Sequence, residues 1–120
     1  MIRLDHLTIP VRDVIQSRDW YASHLGLKVE FEIVERKTAA LQDDGGFTLF
    51  LVEGDPPRGT LCTLTFQVAD VEATYRDLSS RGVAFDKAPQ KLFWGYGAEL
   101  RDPDGYLIYL WDEASMRAKG

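Results

Sequence analysis

The 120-residue sequence predicts an α+β fold built from two tandem modules, each with the element order β-α-β-β-β. The main observation is an internal repeat, because residues 7–14 (LTIPVRDV) and 64–71 (LTFQVADV) agree at five of eight positions, 57 residues apart. In addition, each copy alternates apolar and polar residues and then reaches an Asp that precedes a helical pattern. Two copies are too few for a repeat array, so we expect two similar modules in one domain.

The first module begins with a strand over residues 6–11, which places His6 and Thr8 on one face and Leu7, Ile9 and Val11 on the other. Asp13 is a suitable helix N-cap, and Gly26 is a suitable stop for that helix. Apolar residues at 27, 29, 31 and 33 alternate with charged residues and predict the next strand with a regular period of two. The remaining elements of this module are a turn over 43–46 and a strand over 47–52.

The second module repeats this order. A strand over 63–68 leads to Asp70, which caps a helix that Gly82 ends. The later elements are a strand that starts at 83–85, a loop through Pro89 and residues 94–97, a strand over 98–101, a turn over 102–105 and a strand over 106–111. We therefore expect one domain over residues 1–120. Its parts are module one (1–53), a linker rich in Pro and Gly (54–60), module two (61–112) and a tail (113–120).

The charge balance excludes some classes of partner. Lys and Arg number 14 and Asp and Glu number 19, which gives a net charge of −5. No surplus of basic residues is left to bind nucleic acid or an anionic membrane surface. The sequence has no apolar stretch of membrane-spanning length and no visible signal peptide, so we expect a cytoplasmic protein.

Several motifs, in their order along the chain, resemble the vicinal oxygen chelate superfamily of glyoxalases, bleomycin resistance proteins and extradiol dioxygenases. The motifs are residues 5–13 (DHLTIPVRD), Trp20-Tyr21 followed by Leu25-Gly26, residues 66–70 (FQVAD) and residues 102–105 (DPDG). The resemblance covers essentially the whole chain. It implies paired βαβββ modules whose curved mixed sheets each form half of a cavity, usually in a homodimer.

The resemblance also implies four positions for metal ligands, which correspond here to His6, Phe50, Thr63 and Tyr109. Of these, His6 alone is an ordinary ligand for a divalent metal, because Phe50 has no donor and the hydroxyls of Thr63 and neutral Tyr109 are weak ones. A transition metal needs three or four protein ligands. We therefore expect no metal cofactor, and a divalent metal held through His6 is the alternative.

The cavity face that remains is aromatic with a few polar groups, which suits a planar, partly apolar molecule. Within the superfamily, the chain looks more like bleomycin resistance proteins than glyoxalases. This resemblance implies that it binds a drug without changing it chemically. Its acidic charge favours a cationic ligand. The expected ligand-binding residues are His6, Phe50, Thr63, Trp94, Tyr96, Glu99, Tyr109 and Trp111.

Two other interpretations stay open at this point. The chain could be an enzyme, namely a lyase, isomerase or oxygenase with a rearranged site around His6 and Glu99 as the candidate catalytic groups. Alternatively, Phe50 and Trp111 could fill the groove as core and leave an interaction module without a pocket. Whether the protein is an enzyme is therefore not decided by the sequence.

Overall fold

The computed structural model describes residues 1–57 and 62–120, so residues 58–60 of the expected linker and the first residue of module two lie outside the described part. The chain divides into two compact units, Met1–Gly59 and Thr60–Gly120. Each unit contains a four-stranded mixed sheet and at least one helix, as the α+β prediction requires. In the described residues, no helix is long and apolar enough to cross a membrane.

The first unit follows the predicted β-α-β-β-β order, and the strand over residues 38–42 is the one whose position had not been predicted. Its elements are β1 (His6–Val11), α1 (Val14–Leu25), β2 (Lys28–Ile33), a short 3-10 turn (Val34–Arg36), β3 (Thr38–Gln42) and β4 (Thr48–Glu53). The strand order in the sheet is β1-β4-β3-β2, with β1 parallel to β4 and the other pairs antiparallel.

The second unit repeats this topology. Its elements are β5 (Thr63–Gln67), α2 (Val71–Ser80), β6 (Phe85–Leu92), β7 (Gly95–Arg101), β8 (Leu107–Trp111) and α3 (Glu113–Lys119). The sheet order is β5-β8-β7-β6, again with one parallel pair, β5 and β8. The residues expected to form a tail instead form α3, which Asp112 caps by accepting from the Ser115 N–H.

The helix caps predicted from the sequence are confirmed. Asp13 accepts from the N–H groups of Ile15 and Gln16, and Gly26 ends α1 with φ of 70°. Asp70 accepts from the Ala73 N–H at the start of α2. These bonds satisfy amides that have no partner within the helix.

Each sheet has one face that packs on a helix, here called the helix face, and an opposite face, here called the far face. Side chains alternate between the two faces along each strand, and paired residues on neighbouring strands share a face. The helix faces carry the core, as expected for Leu49, Leu51, Ile108 and Leu110, which are all buried. On the far faces, Phe50, Tyr109 and Trp111 are half-buried, and His6 and Thr63 are exposed.

The predicted regular alternation of β2 is wrong at one residue. The pairing of β2 with β3 shifts between Val29 and Phe31, so Glu30 forms a β-bulge. The extra residue moves Phe31 to the far face, opposite Ala40, while Val29 stays on the helix face, opposite Leu41.

The edge strand β6 carries a bulge in the equivalent place, between Phe85 and Lys87, and a second irregularity around Pro89. The sequence predicted a loop through Pro89 rather than a strand. The strand is tolerated because β6 is at the sheet edge and is bulged there, so the missing N–H of proline costs no regular ladder bond.

Candidate functional site

A group of aromatic rings lies on the far face of the first unit. The ring of His6 contacts the ring of Phe50 edge-on, with the ring centroids 4.4 Å apart. Phe31 contacts Phe50 from the other side at 5.6 Å, also edge-on. Both distances are typical of favourable aromatic pairs. The structure thus brings two expected residues, His6 and Phe50, together with Phe31.

His6 is also oriented by its neighbour in the chain. Its Nδ1 donates to Oδ2 of Asp5 over 2.9 Å. The hydrogen bond from His6 lowers the pKa of Asp5, a carboxyl that is exposed to water. The bond engages Nδ1 of the imidazole, and Nε2 is the ring nitrogen that can meet a ligand.

A cavity of about 510 Å³ lies beside this aromatic group. Its lining residues come from the N-terminal segment, the β3–β4 turn and the far face, and they include Phe31, Phe47, Phe50 and Thr48. Phe31 and Phe47 were not among the residues predicted from the sequence. For Phe31 the period-two pattern indicated the helix face, and only the bulge at Glu30 places it here.

The far face of the second unit carries a stack of two rings. Trp94 and Tyr109 lie parallel, with centroids 4.7 Å apart and an interplanar angle of 10°. The indole N–H of Trp94 donates to Oε2 of Glu99 over 3.0 Å. Glu99 pairs with Tyr109 in the β7–β8 ladder, so all three expected residues belong to one group.

In this group the carboxylate of Glu99 is buried and the hydroxyl of Tyr109 stays neutral. Glu99 is only 6% exposed, although it is a carboxylate. Burial raises the pKa of Tyr109, and the neighbouring charge of Glu99 raises it further. At neutral pH the group therefore presents a neutral aromatic ring next to a hydrogen-bond acceptor.

Two other expected residues lie on the same far face without joining this stack. Thr63 is the first residue of β5 and is exposed. Trp111 ends β8 opposite Gln67 and is half-buried.

Tyr96 has a different position from the one expected at the mouth of the site. It lies on the helix face of β7, where its hydroxyl donates to Oε1 of Glu72 over 2.7 Å. The Lys119 ammonium lies 5.0 Å from its ring centroid. The hydrogen bond to Glu72 raises the pKa of Tyr96, with burial adding to the effect. The structure therefore does not bring Tyr96 together with Trp94, Glu99 and Tyr109.

The donor set at the positions implied by the resemblance does not fit a metal ion. Phe50 and Tyr109 occupy equivalent ladder positions, beside Thr8 and Thr65 of the first strands, and neither provides a strong metal ligand. In residues 1–57 and 62–120, no three His, Cys, Asp or Glu side chains are grouped so that they could hold a metal.

Comparison with known proteins identifies the family. A sequence profile of the Glyoxalase/Bleomycin resistance protein/Dioxygenase superfamily matches residues 3–110, and the chain therefore belongs to this superfamily. A search of curated proteins gave no match.

Solved structures agree with this assignment. A superfamily member from Sphaerobacter thermophilus DSM 20745 is 26% identical, with a TM-score of 0.79 over 94% of this chain and 99% of its own. TnmS3, an antibiotic binding protein from Streptomyces sp. CB03234, is 28% identical, with a TM-score of 0.76 over 92% of this chain and 96% of its own. UcmS2 is 26% identical, with a TM-score of 0.74 over 92% and 97% of the two chains.

Proposed function

We propose that this protein binds a planar, partly apolar small molecule without a metal ion and without changing it chemically. The observation that carries the proposal is the placement of Phe50 and Tyr109. These rings stand at equivalent ladder positions of the two sheets. On its own far face, Phe50 contacts the rings of His6 and Phe31, and Tyr109 contacts the ring of Trp94. Aromatic surfaces with a few polar groups are typical of sites for flat ligands.

The similarity to TnmS3, an antibiotic binding protein, supports a ligand of the same general kind. The net charge of −5 and the buried carboxylate of Glu99 favour a ligand with a positive charge or N–H donors. The homodimer and the cytoplasmic location expected from the sequence are part of the same proposal.

A screen followed by two substitutions tests this function. Thermal unfolding in the presence of a panel of flat, cationic, antibiotic-like molecules identifies ligands as those that raise the melting temperature. For such a ligand, we expect Phe50→Ala or Tyr109→Ala to weaken binding about tenfold or more in calorimetry, because each removes a stacking surface. Phe93→Ala is the control, since this ring is 90% exposed in the β6–β7 turn. Unchanged affinity in both test variants would contradict the proposal.

A metal titration tests the proposed independence of a metal ion. We expect added Ni²⁺, Zn²⁺, Mn²⁺ or Fe²⁺ to leave the melting temperature unchanged. His6 offers one metal ligand and Phe50 offers none, whereas a transition metal needs three or four. Stoichiometric metal in the purified protein, lost in His6→Ala, would show that the proposed metal independence is wrong.

The second candidate function is an enzyme of the lyase, isomerase or oxygenase type, with His6 or Glu99 as a reacting group. The contact between Asp5 and His6 favours it, because a carboxylate that accepts from Nδ1 holds the imidazole in one orientation and one tautomer, with Nε2 left to take part in a proton transfer. Turnover found in a substrate screen and lost in His6→Ala, with an unchanged melting temperature, would establish it. Asp5→Asn should then reduce turnover less than His6→Ala does.

A further inference from the structure

The indole of Trp94 occupies a slot in the far face of the second sheet. One wall of the slot is the ring of Tyr109, which stacks on the indole. The floor is Gly97, where a Cβ atom would overlap the six-membered ring of Trp94. At one end lies Glu99, which accepts from the indole N–H. The slot therefore has the three parts that hold a flat ring with a donor on its edge.

Packing alone does not explain the carboxylate in this slot. A Cβ atom at Gly97 is excluded by the carbonyl oxygen of Leu110 as well as by the ring of Trp94, so the strand pair itself requires the glycine. A carboxylate that is 6% exposed, in contrast, is unfavourable unless a donor meets it. An apolar residue at position 99 would stack beside Tyr109 without that cost.

The side chain in the slot comes from a turn. Trp94 lies between β6 and β7, next to Phe93, which is 90% exposed. Gly95 follows with φ of 137°, a backbone conformation that side chains other than glycine rarely adopt. Turns carry fewer packing contacts than the strands they join, so a residue there changes position at lower cost than Tyr109 or Glu99.

We propose that Trp94 holds the place of a ligand, and that the slot of Tyr109, Gly97 and Glu99 binds a flat aromatic ring with N–H donors on one edge after Trp94 leaves. This inference rests on the proposed function and adds the chemical class of the ligand. When the indole leaves, Glu99 loses its donor, so a ring that brings an N–H replaces the lost bond and a ring without one does not. The neutral ring of Tyr109 supplies the stacking face.

The two possible roles of Trp94 predict opposite changes in ligand affinity when its indole is removed. If Trp94 competes with the ligand, the apparent affinity of the intact protein is reduced by the fraction of molecules in which the slot is free. Removal of the indole then increases affinity. If Trp94 is instead a wall of the site, its removal decreases affinity.

The probe is 2-aminobenzimidazole, a flat bicycle with N–H groups along one edge, and the matched probe is benzothiophene, which is of similar size and has no N–H. We expect Trp94→Ala to bind 2-aminobenzimidazole about tenfold more tightly than the wild-type protein in calorimetry. Glu99→Gln should bind it about tenfold more weakly, because the charge-assisted bond is lost, with little change for benzothiophene. Weaker binding by Trp94→Ala, or equal loss for both probes in Glu99→Gln, would overturn the inference.

A measurement on the wild-type protein covers the case in which Trp94→Ala does not fold. The chain has three tryptophans and so gives three indole N–H signals in a ¹⁵N–¹H spectrum, and Trp94→Phe assigns one of them. We expect 2-aminobenzimidazole to move the Trp94 signal to the position of a water-exposed indole. A Trp94 signal that stays in place at saturation would overturn the inference.

These outcomes are distinct from a failure of the proposed function. If a ligand from the screen depends on Phe50 or Tyr109 but binds less tightly to Trp94→Ala, the proposed function stands and the displacement of Trp94 is wrong. If no flat molecule binds to the wild-type protein or to Trp94→Ala, both proposals are wrong.

Discussion

A single glycine determines what the far face of the second sheet can hold. A Cβ atom at Gly97 would overlap the carbonyl oxygen of Leu110 and the ring of Trp94. The first of these is backbone and cannot move without distorting the β7–β8 pair. The stack of Trp94 on Tyr109 therefore depends on a position that has no side chain.

We expect Gly97→Ala to lower the free energy of unfolding by about 1–3 kcal/mol, the usual cost of forcing extra atoms into a packed region. Urea unfolding followed by circular dichroism measures the change. Gly54→Ala is a matched control, because its Cβ would lie 3.7 Å from that of Pro10, an ordinary contact. Equal stability of Gly97→Ala and the wild-type protein would show that the glycine is not required.

The alternation of side chains along each strand predicted the sheet face of most residues in the candidate site. Phe50, Tyr109 and Trp111 lie on the far face, as the period-two pattern indicated. Tyr96 could not be placed in this way, because the predicted strand began at residue 98, whereas β7 begins at Gly95. Counted from the actual start, Tyr96 shares a face with Ala98 and Leu100, which are buried.

At the scale of elements, a carboxylate at the end of each sheet's last strand meets the first amide of that unit's first helix. Glu53 accepts from the Val14 N–H over 3.3 Å, and Asp112 accepts from the Val71 N–H over 2.6 Å. Asp112 also accepts from the N–H and hydroxyl of Ser115 in α3. One buried side chain therefore joins β8 to two helices.

The protonation of Asp112 makes this junction depend on pH. Burial works to raise the pKa of Asp112, but the bonds from Ser115 and Val71 outweigh it and hold the pKa below its ordinary value of 3.8. A lowered pKa in the folded state means that the carboxylate's stabilisation is complete above 3.8 and is lost as the pH falls through the folded pKa.

We expect Asp112→Asn to lower the free energy of unfolding by about 1–3 kcal/mol near neutral pH, since an acceptor of three hydrogen bonds is replaced. The difference from the wild-type protein should shrink as the pH falls below 3.8. Urea unfolding at a series of pH values measures it. Asp70→Asn is the control, because asparagine is an equally good cap at that exposed site. A difference that stays constant with pH would contradict the assignment.

The bulge in β2 gives a second prediction at this scale. If Glu30 is the extra residue, its deletion leaves Val29 opposite Leu41 and Phe31 opposite Ala40, so the faces are kept. We expect this deletion to cost about 1 kcal/mol of unfolding free energy. Deletion of Glu32 is the control, because it moves Ile33 to the other face and should cost more. A larger loss on deletion of Glu30 would show that the bulge itself is required.

The sequence predicted α1, α2 and their caps but not the bulges. An Asp before an apolar helical pattern has a direct physical role as a cap, and so has a Gly after it. A bulge adds one residue to a strand without changing the alternation that the sequence shows, so the period of β2 did not reveal it. The strand through Pro89 was missed because its edge position depends on the assembled sheet.

At the scale of the whole molecule, the duplication extends further than the sequence repeat. The strand orders β1-β4-β3-β2 and β5-β8-β7-β6 are equivalent, and both second strands are bulged and lie at a sheet edge. In both units, a carboxylate at the end of the last strand accepts from the first amide of the first helix. The match of five in eight residues, together with the alternation along the strands, therefore predicted two similar modules, whereas α3, which belongs to the second unit alone, was not predicted.

The edges of the sheets support a prediction about assembly. Strands β1 and β2 flank the first sheet, and Val29 and Phe31 of β2 are 45% and 43% exposed. Exposed edges and apolar side chains favour pairing with another chain. We expect sedimentation equilibrium to give twice the 13.6 kDa mass of one chain. A mass of one chain at every concentration would contradict the proposed homodimer.

The two strand-end carboxylates also couple distant parts of the chain during folding. Glu53 is 39 residues from Val14, and Asp112 is 41 residues from Val71. Such contacts form late, because closing a long loop costs entropy before the contact repays it. Because these bonds come from the strand ends, the first amides of α1 and α2 are protected from hydrogen exchange only while the last strand of the same unit is in place. Exchange at Val14 and Val71 thus reports the opening free energies of the two copies separately, within one molecule.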